Sequence, residues 1–250
     1  MDINHKSNEK SCLNHIKVAT MNYGLWNDGA VKFVEDSKVE SVLAAWKQML
    51  RDHDVDILAG QEWLRFFDRS KTMLSESCLF ADFFPYQYAT ESGYGKNLVS
   101  KTECTEYSVN NFSNMTNRQY TKAYTVIGDK KICLMNAHCS LEPDFLIHRK
   151  EEFEELIRIM NGEEYVILFG DFNAYSVSEF DLFRQAGYFV ANGGECGTFD
   201  TWTHFDKPSS WENMAIDNII VSHNIRIQAV QVDRRDLSDH NMLVADLSLM

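Results

Sequence analysis

An α/β fold is the expectation, and three observations carry it. Short apolar runs rich in β-formers recur along the chain, among them Val166-Ile167-Leu168-Phe169. Near the N-terminus a segment of helical period stands between two such runs, the strand–helix–strand pattern of a crossover unit. Polar residues able to hold a ligand follow the ends of several runs, and sites in α/β folds sit at such edges.

The elements follow in order. Residues 1–14 are polar and read as a loose tail, leaving 15–250 as one domain. Ile16 to Met21 alternates as a strand and ends at Asn22. Val39, Val42, Leu43, Trp46 and Leu50 fall at helical spacing and predict a helix over 39–52. A second strand over 54–60 ends at Gln61-Glu62. Residues 64–94 are less regular and hold Phe66, Phe67, Phe80, Phe83, Phe84, Tyr86 and Tyr88. Such a cluster reads as core or packed loop, with a substrate-stacking wall as the alternative. Gly93-Tyr94-Gly95-Lys96 reads as a turn into a strand over 97–100. It lacks the helix that a phosphate-cradling glycine loop opens, which excludes a nucleotide loop.

Strands are predicted over 106–112 and 119–127, then a hairpin turn at Gly128-Asp129 and a strand over 131–137 that ends at His138. Phe153, Leu156, Ile157 and Met160 predict a helix over 143–161, which contains Arg149. The central strand over 165–169 runs into Gly170-Asp171-Phe172-Asn173. Alternation along an extended chain points Asp171 and Asn173 the same way, towards one ligand; the alternative is an Asx turn after the strand. A short helix over 178–185 and strands over 215–221, 225–232 and 242–249 complete the chain, the last directly after Ser238-Asp239-His240.

Composition narrows the function. The chain of 250 residues is 44% hydrophobic and 12% aromatic, enough for a full core. Its net charge of -13 opposes tight non-specific DNA binding, although a divalent metal in the site would screen a phosphate locally. None of the six cysteines forms a Cys-x-x-Cys pair, so zinc ribbons and thioredoxin-like chemistry lack support. The N-terminus has no apolar signal core and no run reaches transmembrane length, so a cytoplasmic protein with reduced thiols is expected.

The chemistry collects at strand ends: Asn22, Glu62, His138, Asp171, Asn173, Asp217, Asp239 and His240. Each alone reads equally well as a turn residue, an exposed acid or a structural histidine. Together, hard oxygen donors and two histidines suit a divalent metal that leaves positions for phosphate and water, with a histidine–aspartate pair working near neutral pH.

These stretches, in this order, resemble a known family. Thr20-Met21-Asn22, Gln61-Glu62, Asn136-Ala137-His138, Gly170-Asp171-Phe172-Asn173, Ile216-Asp217-Asn218-Ile219 and Ser238-Asp239-His240 look like the motifs of the endonuclease/exonuclease/phosphatase superfamily, and the likeness spans about Ile16 to Leu249. The resemblance implies a DNase I-like four-layer α/β sandwich, two facing mixed sheets flanked by helices, with the site at one rim. It implies a magnesium-dependent phosphoesterase, manganese being the alternative ion. Glu62 would be the principal metal ligand, with Asn22 and Asp239 in or near the metal shell. Asp171 and Asn173 would orient water and hold the phosphate, and His240 with Asp217 would act as base or charge stabiliser. His138 would contact the phosphate or assist the leaving group, and Arg149 would join it in substrate binding. A monomer acting on a nucleic acid, nucleotide, phospholipid head group or small phosphoester is implied, a catalytically silent phosphate-binding domain being the alternative.

Departures from subfamily patterns narrow the branch. Ala174-Tyr175 and Asp217-Asn218 stand where an inositol-polyphosphate phosphatase would carry a basic residue and an Asp-Arg. Asn241 replaces the proline expected of an abasic-site endonuclease. A generic bacterial-type branch remains, with Thr198-Phe199 before a loop bearing Trp202 and Trp211 that reads as packing rather than pocket.

Overall fold

The computed structural model describes residues 14–23, 36–62, 80–90, 95–199, 214–235 and 237–250. Two six-stranded mixed sheets dominate. The first is formed by β1 (His15–Asn22), β2 (Ile57–Gln61), β3 (Tyr86–Ala89), β4 (Lys96–Ser100), β11 (Ile225–Asp233) and β12 (Met242–Leu249), in the order β11-β12-β1-β2-β4-β3. The second holds β5 (Cys104–Asn111), β6 (Gln119–Ile127), β7 (Lys130–His138), β8 (Val166–Asp171), β9 (Phe189–Val190) and β10 (Asp217–Val221), in the order β5-β6-β7-β8-β10-β9. Helix α1 (Asp36–His53) makes the parallel crossover from β1 to β2. Helix α2 (Arg149–Met160) makes the one from β7 to β8. A short 3-10 turn (Val177–Phe180) leads into α3 (Asp181–Gln185).

Three apolar clusters separate four layers. Ile16, Val18, Ile57 and Leu243 of one sheet meet Ile132, Leu134, Phe169 and Ile219 of the other in a central core. Met21, Leu58 and Val244 face Trp46, Met49 and Leu50 of α1 together with Phe80 and Phe84. Met135, Leu168 and Ile220 face Phe153 and Leu156 of α2 and Phe183 of α3. The fold is therefore the four-layer α/β sandwich, helices outside and two sheets within. Phe80 and Phe84 are core residues, as the packed-loop reading of the aromatic region expects.

Strand alternation positions the site. Along β1, β2, β7 and β8 every second side chain enters the space between the sheets. These inward rows end at one rim on Asn22, Gln61, His138 and Asp171. Asp217 opens the antiparallel β10 directly opposite Asp171. A register slip of one residue would turn a whole row outward, so core burial also fixes which polar residues share the rim.

Several boundaries differ from the sequence expectation. The helix expected over 143–161 starts only at Arg149. Asp144 accepts the backbone N–H of Leu146 at 2.8 Å, and its carbonyl takes that of Ile147, a local turn that competes with helix. The strand expected from 54 starts at Ile57, because Asp54 takes φ +49 in closing α1. The edge strand β3 and the two-residue β9 had no counterpart in the sequence reading. The tail over 1–13, Cys12, Cys78, Phe66, Phe67, Trp202 and Trp211 lie outside the described residues. The four described cysteines are free thiols.

Candidate active site

The rim cluster centres on Asp171. Gly170 precedes it because a Cβ there would stand 2.6 Å from the Ala137 carbonyl oxygen; the neighbouring strand passes too close for any side chain. The Asp171 carboxylate is buried at the end of β8. Its Oδ2 accepts from Asn22 Nδ2 at 2.8 Å and lies 3.5 Å from His138 Nε2 and 3.9 Å from His240 Nε2. Its Oδ1 accepts the backbone N–H of Asn173 at 3.0 Å. That last bond is the Asx turn of the alternative reading, so the turn and the cluster coexist. Asn173 sits at φ +50 and donates its Nδ2 to the Cys139 carbonyl at 3.0 Å. The chain leaves the extended conformation at Asn173, so simple alternation no longer governs its direction.

His240 is held by its neighbours. Its Nδ1 lies 2.8 Å from Asp217 Oδ2, its backbone N–H donates to Ser238 Oγ at 3.0 Å, and the Phe199 ring packs edge-on at 4.9 Å. Ser238 Oγ in turn donates to the Asn22 carbonyl at 2.8 Å, fastening the Ser238-Asp239-His240 turn to the end of β1. Burial alone would push the imidazole down. The Asp217 carboxylate outweighs that, and Asp171 and Asp239 add to it, raising His240 to about 10. Burial pushes Asp171 up to about 7, with the His240 cation opposing and Asp217 adding to the rise.

Glu62 stands just past β2 at φ +58, its side chain 15% exposed and Oε1 3.9 Å from His138 Nε2. A non-glycine residue in the left-handed region carries backbone strain, and such strain gathers at functional sites. Below Glu62, Gln61 donates to Asn136 Oδ1 at 2.8 Å, and Asn136 donates to the carbonyls of Gly60 and Asn97. This buried amide network joins the two sheets beneath the rim.

The family model described as Endonuclease/Exonuclease/phosphatase family matches residues 36–240. The chain belongs to that family. Comparison with curated protein sequences finds no match. Among solved structures, an endonuclease/exonuclease/phosphatase from Beutenbergia cavernae is 15% identical at TM-score 0.72, covering 94% of this chain and 72% of that one. The human Nocturnin catalytic domain with bound sulfate is 17% identical at 0.69, covering 95% and 94%. D. rerio TDP2 complexed with single strand DNA product is 15% identical at 0.69, covering 94% and 99%. At these identities the likeness establishes the DNase I-like fold. Family membership itself supports a phosphoesterase type of function.

Arg149, expected to join in substrate binding, is engaged by protein groups. It is fully buried; Nε and Nη2 bind Glu179 at 2.7 and 3.1 Å, and Nη1 donates to the carbonyls of Ser140 and Glu142. Its donors tie α2 to two loops. Lys96, missed from the sequence, starts β4 opposite Gln61 and is 2% exposed. Burial, then nearby Arg118, lowers it to about 8 against the pull of Cys139 and Glu62. Only the β2–β4 register, invisible in a linear reading, brings it to the rim. Cys139 is buried too, and burial holds its thiol well above the ordinary range. No helix among the described residues is long and apolar enough to cross a membrane.

Proposed function

We propose that this chain hydrolyses phosphoesters with the help of a divalent metal, magnesium or manganese. The observation that carries the reading is the convergence of Asn22, His138 and His240 on Asp171 Oδ2, with His240 oriented by buried Asp217. The donor chemistry of the expected ligands supports a hard cation. Glu62, Asn22 and Asp239 offer oxygen, and the partly exposed Glu62 leaves room for the waters that magnesium keeps. A second donor set, Asp171, Asp217 and His240, has ligand atoms within 4.8 Å of one another. Its His240 Nδ1 already faces Asp217, so we assign the trio to proton and charge handling instead. When bound, the metal would neutralise charge on the phosphoryl oxygens.

The side chains divide the remaining work. His240, held as a cation near neutral pH by Asp217, donates a hydrogen bond to a phosphoryl oxygen as charge builds there. Asp171, raised towards neutrality, is matched to accept a proton from the attacking water, and Asn22 fixes its carboxylate. His138 contacts the phosphate on the Glu62 side. Lys96 adds positive charge beneath it, while Asn173 braces the Cys139 carbonyl and shapes the floor. A monomer located in the cytoplasm and acting on a nucleotide, nucleic acid, lipid head group or small phosphoester completes the proposal.

The test is hydrolysis of bis-p-nitrophenyl phosphate and p-nitrophenyl phosphate with magnesium, with manganese and with chelator. Metal-dependent release of nitrophenol from either ester supports the reading, and the preferred ester separates diesterase from monoesterase. Turnover that survives chelation would remove the metal from the account.

A further inference from the structure

Beside the rim lies a pocket of about 470 Å³ between the β5–β6 bend and the segment that follows β7. Its lining includes Met115, Asn117, Arg118, Ser140, Leu141 and Glu142. Ser140 is two residues beyond His138, at most about 7 Å of extended chain, so the pocket adjoins the place assigned to the phosphate.

Both walls are fixed by buried charge on the first turn of α2. Glu152, fully buried, accepts from Ser140 N at 2.8 Å and Ser140 Oγ at 2.6 Å, and on the other wall from Thr116 Oγ1 at 3.0 Å. Arg149 holds the carbonyls of Ser140 and Glu142. Asn114 Oδ1 accepts from Thr116 Oγ1 at 2.8 Å, and its Nδ2 donates to the His148 carbonyl at 3.2 Å, closing the bend onto the same helix end. A pocket so braced is formed before any ligand arrives.

Its chemistry is mixed. Glu142 Oε2 is buried and has no hydrogen-bond partner among the described residues, so it wants a donor. Arg118 and Asn117 also line the pocket, and both are donor-bearing side chains. Met115 is 93% exposed at φ +60, and Leu141 is 54% exposed; together they present apolar surface at the lip. A second phosphate would meet the Glu142 carboxylate. A flat heterocycle with adjacent donors and acceptors suits the whole set, its amino or imino edge on Glu142, its carbonyl or ring nitrogen near Arg118 and its face on Met115 and Leu141. Guanine carries that pattern of donors beside acceptors.

We propose that this pocket is a nucleobase subsite with a preference for guanine, which makes the substrate a nucleotide-bearing phosphoester. The proposal rests on the phosphoesterase reading of the adjoining rim. The test compares kcat/KM for the p-nitrophenyl ester of guanosine 5′-phosphate, that of thymidine 5′-phosphate and base-free methyl p-nitrophenyl phosphate. The guanosine ester is expected to exceed the base-free ester by about 30-fold or more, and Glu142→Gln to lower that ratio at least tenfold. Equal rates for all three esters, or a Glu142→Gln effect of the same size on each, would overturn the subsite and leave the hydrolase reading standing. If the wild type hydrolyses none of them, the hydrolase reading fails. The subsite is then judged by calorimetric binding of guanosine 5′-phosphate against ribose 5-phosphate. A preference for the nucleotide that Glu142→Gln abolishes supports it, and equal binding rejects it.

Discussion

Replacing Glu179 with alanine should destabilise the fold far more than it alters the chemistry. Glu179 lies on the 3-10 turn, and its carboxylate takes both Nε and Nη2 of the buried Arg149. Its Oε1 also accepts the backbone N–H groups of Tyr175 and Ser176, part of a capping box on that turn. Removing one member of a buried ion pair costs about 3–5 kcal/mol, because the remaining charge stays buried. Loss of the cap adds about 1 kcal/mol. A sum on the order of 5 kcal/mol should lower Tm by roughly 10–20 °C in a chain of this size. Thermal unfolding followed by circular dichroism or calorimetry reads this directly. Arg149→Ala should fall by a similar amount, and combining Arg149→Met with Glu179→Leu should recover part of the loss. With folded protein assayed well below its Tm, KM for a base-free ester such as bis-p-nitrophenyl phosphate should be unchanged in either single variant. A Tm within about 3 °C of wild type, together with a raised KM for Arg149→Ala, would refute the structural role and restore the substrate contact.

Other outcomes follow from the same geometry. His240→Ala and Asp217→Asn should each lower kcat by about 10²–10⁴, since the second keeps the shape of the pair and removes its charge; kcat within threefold of wild type would exclude the dyad. His240 is raised in the folded state, so its contribution to stability is complete below its ordinary value of 6.5 and is lost as pH climbs towards about 10. Chelated wild-type protein should therefore lose Tm between pH 6.5 and 10 more steeply than Asp217→Asn, and parallel curves would contradict the coupling. Burial keeps Cys139 protonated, so Cys139→Ser should retain activity, and a thiol-blocking reagent should affect both proteins alike; protection by the substitution would implicate that thiol.

The parts legible in the sequence were those governed by alternation. Inward rows of β1, β7 and β8 could be traced residue by residue to Asn22, His138 and Asp171, because a buried strand of period two leaves no choice of face. The Asp217–His240 pair was legible only through resemblance, since the two are 23 residues apart and meet between the sheets, Asp217 opening β10 of one and His240 standing just before β12 of the other. The pairing of Arg149 was not legible, because its partner Glu179 lies 30 residues on, across a loop, and no local pattern marks a buried pair. Lys96 was passed over as a turn residue for the same reason; its neighbour in space, Gln61, is set by sheet register. The start of α2 failed locally, where Asp144 closes a turn that hydrophobic spacing does not register.

The central claim is that the rim works with a metal held at Glu62. The most direct measurement is a titration of nitrophenyl ester hydrolysis with magnesium and with manganese, in wild type and in Glu62→Gln. No turnover is expected in chelator, and the half-saturating metal concentration should be at least tenfold higher in the variant. Identical metal curves for the two proteins, or turnover indifferent to chelator, would contradict it.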